Sequence, residues 1–335
     1  MNHAFFNNKR ILITGGAGFI GSCLVRRLCS QTNASVTVVD NLGPGSNLDA
    51  VPGDVLIGDY NLYNVDIANE TALSLILEDF KPHIIYHLAA ESHVDRSIAG
   101  PRSFIESNVV GTFCVLEASR RYYEKLDQVE KNHFRLHSVS TDEVYGSLRE
   151  SGYFDEHSVY KPSSPYSATK AAADHLVSAW YKTYGLPVTI SNCTNNYGPW
   201  QDPEKFIPKV ISLLLKGEAI PLYGDGSNVR DWLYVEDHVD ALLSCVEHGR
   251  IGQNYCIGAR NELSNIQIIT QVVGIFKNLG IEVSAKIKYV EDRLGHDYRY
   301  AINPQKAEAF LGWFPRTAFA EGLKKTVLWH LDQKA

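Results

Sequence analysis

The sequence predicts an α/β protein: a doubly wound parallel sheet with a smaller C-terminal α/β lobe. Three observations predict it. Short apolar and β-branched runs alternate with longer helical patterns through the first half. A glycine-rich turn joins the first of these runs to the first helix. Beyond residue 190, prolines and glycines crowd into shorter elements. Such alternation implies βαβ units, and so a parallel sheet covered by helices on both faces.

Taken in order, Arg10-Ile11-Leu12-Ile13-Thr14 reads as a buried strand and residues 19 to about 30 as a helix. Val36-Thr37-Val38-Val39 is a second strand, and His83-Ile84-Ile85-Tyr86-His87-Leu88 another. Phe134-Arg135-Leu136-His137-Ser138-Val139 is a further strand, and it runs into Ser-Thr-Asp-Glu-Val-Tyr-Gly at 140–146. The proline-flanked stretch 162–165 gives a stiff entry into the next helix. Residues 1–190 are expected to form the sheet domain and 191–335 the smaller lobe, with 229–243 as the segment that would return to the sheet. No internal repeat or low-complexity tract interrupts this order.

The chain has 335 residues, of which 44% are hydrophobic and 21% charged, with a mean hydropathy of −0.17. That is the composition of a soluble enzyme. A formal net charge of −6 offers no surface for nucleic acid or an anionic membrane. An anionic small substrate would need a local cluster of Arg and Lys. Six cysteines, at 23, 29, 114, 193, 245 and 256, form no C-x-x-C, so they read as reduced core thiols of a cytoplasmic protein. No signal-peptide h-region and no apolar stretch of about 18 residues is present. The histidines, including His93 and His238, lack metal-ligand spacing and read as structural, so no metal is expected.

Gly15, Gly18 and Gly21 give G-x-x-G-x-x-G at the first strand-to-helix junction, with Phe19 and Ile20 opening the helix. Early glycines allow a tight turn and close approach of a pyrophosphate to backbone N–H groups. The last glycine lets helix and strand pack closely. A glycine turn alone is a weak signal. Here Asp40, 19 residues after Gly21, ends the second strand, where a carboxylate accepts from the adenosine ribose hydroxyls and repels a 2′-phosphate. No Arg or Lys follows between Asp40 and Gly58. The domain is therefore Rossmann-type and the cofactor NAD rather than NADP. Asp66 and Ile67 are expected to flank the adenine.

Ligands of open α/β sheets bind beyond the carboxyl ends of the strands. Leu88-Ala89-Ala90-Glu91-Ser92 and Ser140 to Glu143 are thereby expected over the cofactor crevice. Ser140-x-x-Glu143 also fits a capping box. Tyr166 and Lys170 stand one helical turn apart and share a face. A phenol acts as a base near neutral pH only if its pKa of about 10 is lowered, and a neighbouring ammonium and the positive nicotinamide ring would lower it.

Tyr-x-x-x-Lys behind such a fingerprint resembles the short-chain dehydrogenase/reductase superfamily, in its extended branch acting on nucleotide sugars. Six runs narrow the resemblance: His-Leu-Ala-Ala-Glu-Ser-His-Val-Asp at 87–95, the 140–146 run, Pro-Ser-Ser-Pro-Tyr-Ser-Ala-Thr-Lys at 162–170, Asn-Cys-Thr-Asn-Asn-Tyr-Gly-Pro at 192–199, Arg-Asp-Trp-Leu-Tyr-Val at 230–235 and Asp-Arg-Leu-Gly-His-Asp at 292–297. In this order, across residues 9 to about 315, they resemble the dTDP-glucose 4,6-dehydratase family. The resemblance implies an NAD-dependent lyase in which Tyr166 takes the 4-hydroxyl proton, Glu143 the carbon-5 proton, and Asp142 protonates the departing 6-hydroxyl. Thr141 would bond the 4-oxygen, and Lys170 the nicotinamide ribose.

By the same resemblance Asn41, Leu88, Ala89, Ala90, Ser92, Ser107 and Asn196 fall at cofactor positions. Ser92, Asn195, Lys205, Arg230, Asn265, Arg293 and His296 fall at the nucleotide-sugar substrate, with Arg230 as the diphosphate partner; without the family pattern, Arg230 reads as a surface ion pair with Asp231. A homodimer is implied through helices near 102–121 and 166–184. The chain departs from the family at Asn41-Leu42-Gly43-Pro44-Gly45-Ser46, where a tyrosine over the adenine is missing, and at Leu294, where a proline is usual. A UDP-sugar 4,6-dehydratase, a 4-epimerase of the same fold, and a non-catalytic nucleotide-binding protein remain as alternatives. The carboxylate pair argues against the epimerase.

Overall fold

Five apolar-rich runs begin the architecture: β1 (Arg10–Thr14), β2 (Ser35–Asp40), β3 (Tyr60–Asn64), β4 (Ile84–His87) and β5 (Arg135–Thr141). The computed structural model describes residues 3–51 and 60–333, and counts and absences refer to those residues. The last part of the stretch without Arg or Lys after Asp40, residues 52–59, lies outside them. With β6 (Val188–Cys193) and β10 (Asn254–Ile257) these strands form one seven-stranded sheet in the order β10-β6-β5-β4-β1-β2-β3. Every neighbouring pair in it is parallel. Strand order reverses between β1 and β4, the switch point at which such sheets open a crevice.

Both faces of the sheet are covered, so its central strands are continuous apolar runs rather than alternating ones. On one face, α1 (Phe19–Gln31) packs with Cys23, Leu24 and Leu28 against the sheet. On the other lie α2 (Glu70–Phe80), α5 (Thr112–Lys125) and α7 (Pro165–Tyr184), through Leu73, Leu116 and Val177. Between α2 and α5 come α3 (Val94–Ala99), α4 (Pro101–Phe104) and a π-helical stretch, Ile105–Gly111; α6 (Gln128–His133) precedes β5.

The smaller core gathers β7 (Asn195–Tyr197), β9 (Val229–Tyr234) and β11 (Glu262–Ser264) in one three-stranded sheet. Beside it, β8 (Ala219–Tyr223) pairs with β12 (Lys286–Val290). Here α8 (Phe206–Lys216), α10 (Asn265–Asn278) and α12 (Phe319–Asp332) bury Ile211, Phe276 and Leu323. The segment 229–243 divides between the two cores. Its strand β9 pairs with β7 and β11, whereas α9 (Val235–Glu247) returns to the large sheet and packs Val239 and Leu242 beside α1. The strand that reaches the large sheet from the C-terminal half is β10, beside β6, ahead of α11 (Gln305–Leu311).

Candidate active site

At the mouth of the switch point, the turn after β1 brings Gly15 to a φ of +73°, where an added Cβ would meet the Ala89 backbone nitrogen at 2.6 Å. At Gly21 a Cβ would stand 2.1 Å from the Gly15 carbonyl oxygen. Only glycine lets the β1 turn, α1 and the end of β4 approach this closely. Gly18 caps α1 without any side-chain hydrogen bond, so the first N–H groups of that helix face open space with their positive potential.

That space is a cavity of about 320 Å³, within the range of small-molecule sites. Gly15, Gly18, Phe19, Ile20 and Gly21 line one end with Asp40, Asn41 and Ile67. Leu88, Ala89, Ala90, Ser92 and Ser107 form its middle, and Thr141, Asp142, Glu143, Tyr166, Lys170, Asn195, Asn196 and Lys205 the far end. Asp40 ends β2 with Oδ2 accepting from Ala17 N at 3.0 Å and Oδ1 accepting from Leu42 N at 2.9 Å. A carboxylate has about four acceptor sites, and a third contact, from Ser46 Oγ, still leaves room for a ribose hydroxyl. The glycine cradle, the uncapped helix start and this acid fit a dinucleotide.

The two carboxylates follow directly from β5. Ser140 and Thr141 are the last residues of that strand and point to opposite faces. Thr141 caps the 3₁₀ turn Asp142–Tyr145, its Oγ1 accepting from Glu143 N at 3.3 Å. Ser140 Oγ donates to Asp174 instead. The expected Ser140–Glu143 capping box is therefore absent, because the strand runs one residue further than the box requires.

Asp142 is 1% exposed, and its Oδ2 has no partner. Burial, then the charge of Glu143, drives its pKa well above the usual carboxylate range. Glu143 is also raised by burial, but Arg293, Arg230 and Lys205 all pull it back down. Adjacent carboxyls in unequal fields titrate as a pair, with the proton held on the less compensated one.

Pro165 and the Ser164 cap start α7, which carries Tyr166 and Lys170 on one buried face. Lys170 Nζ donates to the Val139 carbonyl at 3.0 Å. Burial, then Glu143, raises Tyr166 well above its ordinary value, and the Thr141 side chain pulls it partly back. A bound NAD, with its positive nicotinamide ring, would supply the charge that favours the phenolate.

Five expected residues are not on the cavity wall. Asp66 accepts from Asn41 Nδ2 at 3.2 Å and from Ala68 N at 2.8 Å. Arg230 turns its guanidinium to the carbonyls of Val229 and Asp297, at 2.8 and 2.9 Å, and stacks on Tyr300. It makes no ion pair with Asp231, whose carboxylate accepts from Ala259 N and Asn261 N. Asn265 opens α10, its N–H donating to Asn228. Arg293 lies 3.5 Å from Asp95, with Nε buried and unpartnered, and His296 Nδ1 lies 2.6 Å from Asp292.

Glu91 lines the cavity, as expected of the run after β4, and others do so unforeseen: His93, Cys193, Thr194, Gln201 and Asp202. His93, read as structural, faces Glu204 at 3.6 Å. The usable signal was position, since His93 and Cys193 flank the ends of β4 and β6 just as the expected residues do.

Comparison with known proteins agrees over nearly the whole chain. Residues 12–326 match the family model described as GDP-mannose 4,6 dehydratase. A probable dTDP-glucose 4,6-dehydratase of Sinorhizobium fredii is 50% identical, the match covering 96% of this chain and 93% of that protein. The dTDP-glucose 4,6-dehydratase 1 of Escherichia coli is 48% identical, over 96% of this chain and 93% of its own length. The crystal structure of a dTDP-glucose 4,6-dehydratase from Streptomyces venezuelae, with NAD bound, superposes with a TM-score of 0.88 at 39% identity, covering 97% of this chain and 98% of that one. The chain belongs to this nucleotide-sugar 4,6-dehydratase family.

Proposed function

From that membership and from the cavity, we propose that the protein is a dTDP-glucose 4,6-dehydratase. It converts dTDP-glucose to dTDP-4-keto-6-deoxyglucose by oxidation at carbon 4, elimination of water across carbons 5 and 6, and reduction at carbon 6. The observation that carries this reading is the Asp142–Glu143 pair, in unequal fields, on the same wall as Tyr166 and Lys170. An epimerase has no use for such a pair.

Tyr166 removes the proton of the 4-hydroxyl while Thr141 Oγ1 holds the 4-oxygen. A ketone at carbon 4 makes the carbon-5 proton acidic, because the resulting carbanion delocalises as an enolate. Glu143, facing Arg293 and Lys205, is the base that removes it. Asp142, buried and protonated, donates to the departing 6-hydroxyl. Lys170 holds positive charge at the site. The chemistry NAD supplies when bound is reversible hydride acceptance, first from carbon 4 and then back to carbon 6. Gly15, Gly18, Gly21 and Asp40 would hold it, with residues 1–190, α9 and β10 as the cofactor domain and the rest of 191–335 as the substrate lobe. Asn195 and Lys205 are the diphosphate contacts on the wall. Arg293, with its unpartnered Nε, is the cation that turns to the anionic nucleotide, while Arg230, Asn265 and His296 support that end.

A homodimer through the 102–121 and 166–184 helices is part of this reading. It is supported by exposed apolar side chains there, among them Ile105, Val110, Phe113 and Tyr184. A cytoplasmic location is supported by six buried, unpaired cysteines. No helix among the described residues is long and apolar enough to cross a membrane.

The test is incubation of the purified protein with dTDP-glucose and no added NAD, followed by mass spectrometry. Loss of one water is expected. Turnover of UDP-glucose alone would move the specificity to the other nucleotide, and silence with both sugars, with or without NAD, would end the dehydratase reading.

A further inference from the structure

The dehydratase reading, on which this inference rests, leaves one proton out of place after every turnover. Tyr166 gains the proton of the 4-hydroxyl, which never returns because the product keeps its ketone. Glu143 borrows the carbon-5 proton and gives it back. Asp142 loses a proton to the departing water. The hydride stays within the sugar. Each cycle therefore ends with Tyr166 a neutral phenol and Asp142 a carboxylate, whereas the next begins with a phenolate and a carboxylic acid.

One hydroxyl stands between the two groups. Thr141 Oγ1 donates to Asp142 Oδ1 at 3.3 Å, and on the same cavity wall it adjoins the Tyr166 hydroxyl, whose phenolate form it favours. Its position is fixed by the contact from Glu143 N at 3.3 Å. Bulk water has little access to the three: Asp142 is 1% exposed, and Thr141 and Tyr166 are each 8% exposed. All three line the same cavity wall, where a bound nucleotide sugar would shield them further.

We propose that Thr141 is the proton wire that resets the site, carrying one proton from Tyr166 to Asp142 in each turnover. The Tyr166 O–H bond breaks as a proton joins Thr141 Oγ1, and the proton that Thr141 already carried passes to Asp142 Oδ1. The phenol becomes a phenolate, the carboxylate becomes an acid, and Thr141 ends as it began. No oxidant, reductant or outside proton donor is required. Besides Glu143, the titratable and charged groups that act on this relay are Cys193 at the end of β6, and Asp231 and Arg230 of β9. All are unchanged by substitution at Thr141.

The test compares Thr141→Val, which keeps the shape without the hydroxyl, with Thr141→Ser, which keeps the hydroxyl, both by rapid mixing with excess dTDP-glucose. In Thr141→Val the lost contact to the 4-oxygen should slow the first turnover, which still forms one equivalent of keto sugar per site, and the steady state that follows should be slower again by about 100-fold, the usual scale of a lost proton-transfer group. Tyrosinate absorbance should disappear with the first turnover and recover only at the slow rate. Thr141→Ser should turn over without a separate burst. Equal slowing of the first and later turnovers in Thr141→Val, or recovery of tyrosinate at the wild-type rate, overturns the wire while the dehydratase reading stands. Failure of the wild-type protein to expel water from any sugar removes both.

Discussion

Ser140 Oγ donates a 2.8 Å hydrogen bond to Asp174 Oδ2, one helical turn beyond Lys170. Tyr160 and Asn192 donate to the same oxygen at 2.9 and 3.1 Å. Among the described residues Oδ1 has no partner. Asp174 lies behind the cavity wall and is the largest influence that raises the pKa of Lys170, against the larger lowering by burial. In Asp174→Asn the amide oxygen can keep the three donors, and only the charge is lost. Lys170 should then lose its proton at lower pH, moving the alkaline limb of the kcat profile down. KM should not change, since Asp174 does not touch the cavity. An unshifted limb with a raised KM would show that the residue acts by shape instead.

The glycine turn makes a steric prediction with an internal control. An Ala at Gly21 would put Cβ 2.1 Å from the Gly15 carbonyl and 2.8 Å from Gly16 Cα, both backbone atoms. Gly21→Ala should cost roughly 1–3 kcal/mol and abolish NAD retention through gel filtration. Gly274, inside α10, has nothing within 4 Å of its Cβ position. Gly274→Ala should stabilise by about 0.5–1 kcal/mol, read as a higher Tm with NAD content unchanged.

Glu143 and Asp142 can be separated by isotope. In heavy water the wild-type product should carry deuterium at carbon 5 wherever Glu143 exchanges its proton before returning it. Glu143→Gln should lower kcat by about 10²–10⁴, with carbon-4 oxidation persisting as reduced-nicotinamide absorbance. Retention of near-normal elimination in that variant would assign the base elsewhere.

His137 sits wholly buried between Thr189 Oγ1 and Ser191 Oγ, at 2.9 and 3.0 Å, and burial pushes its pKa down to about 3. Its unfolded form takes up a proton below about 6.5, whereas the folded form does not. The stability this neutral ring contributes is therefore complete above about pH 6.5 and is lost as pH falls toward 3. His137→Gln should be less stable than wild type at pH 7.5, with the gap narrower by about 1.4 kcal/mol at pH 5.5. Urea denaturation at both values measures it, and a constant gap would contradict the assignment. The comparison between variants matters because buried acids such as Asp231, raised to about 6, act in the opposite direction.

Much of the fold was legible because its signals are local. The strand Arg10–Thr14 and the helix after it follow from a buried run, a glycine turn and an amphipathic pattern that need no distant partner. Tyr166 and Lys170 share a face because the helix period puts them there. Less legible was the division of 229–243, where β9 joins the small sheet while its helix joins the large one. Nothing within those residues specifies two different cores. The cap at Thr141 instead of Ser140 depended on where β5 ends, and boundaries of one residue are set by pairing with β6.

By itself the sequence determined the βαβ order, the dinucleotide cradle and the residue types of the chemistry, since each is written in spacing along the chain. The tertiary structure alone decided that Asp142 is the drier carboxyl and that Glu143 lies in the field of Arg293, Arg230 and Lys205. It alone turned Arg230 onto backbone carbonyls and placed Asp174 behind Lys170. Protonation state and side-chain direction depend on desolvation and on charges brought together from distant segments, and these quantities exist only once the chain has packed.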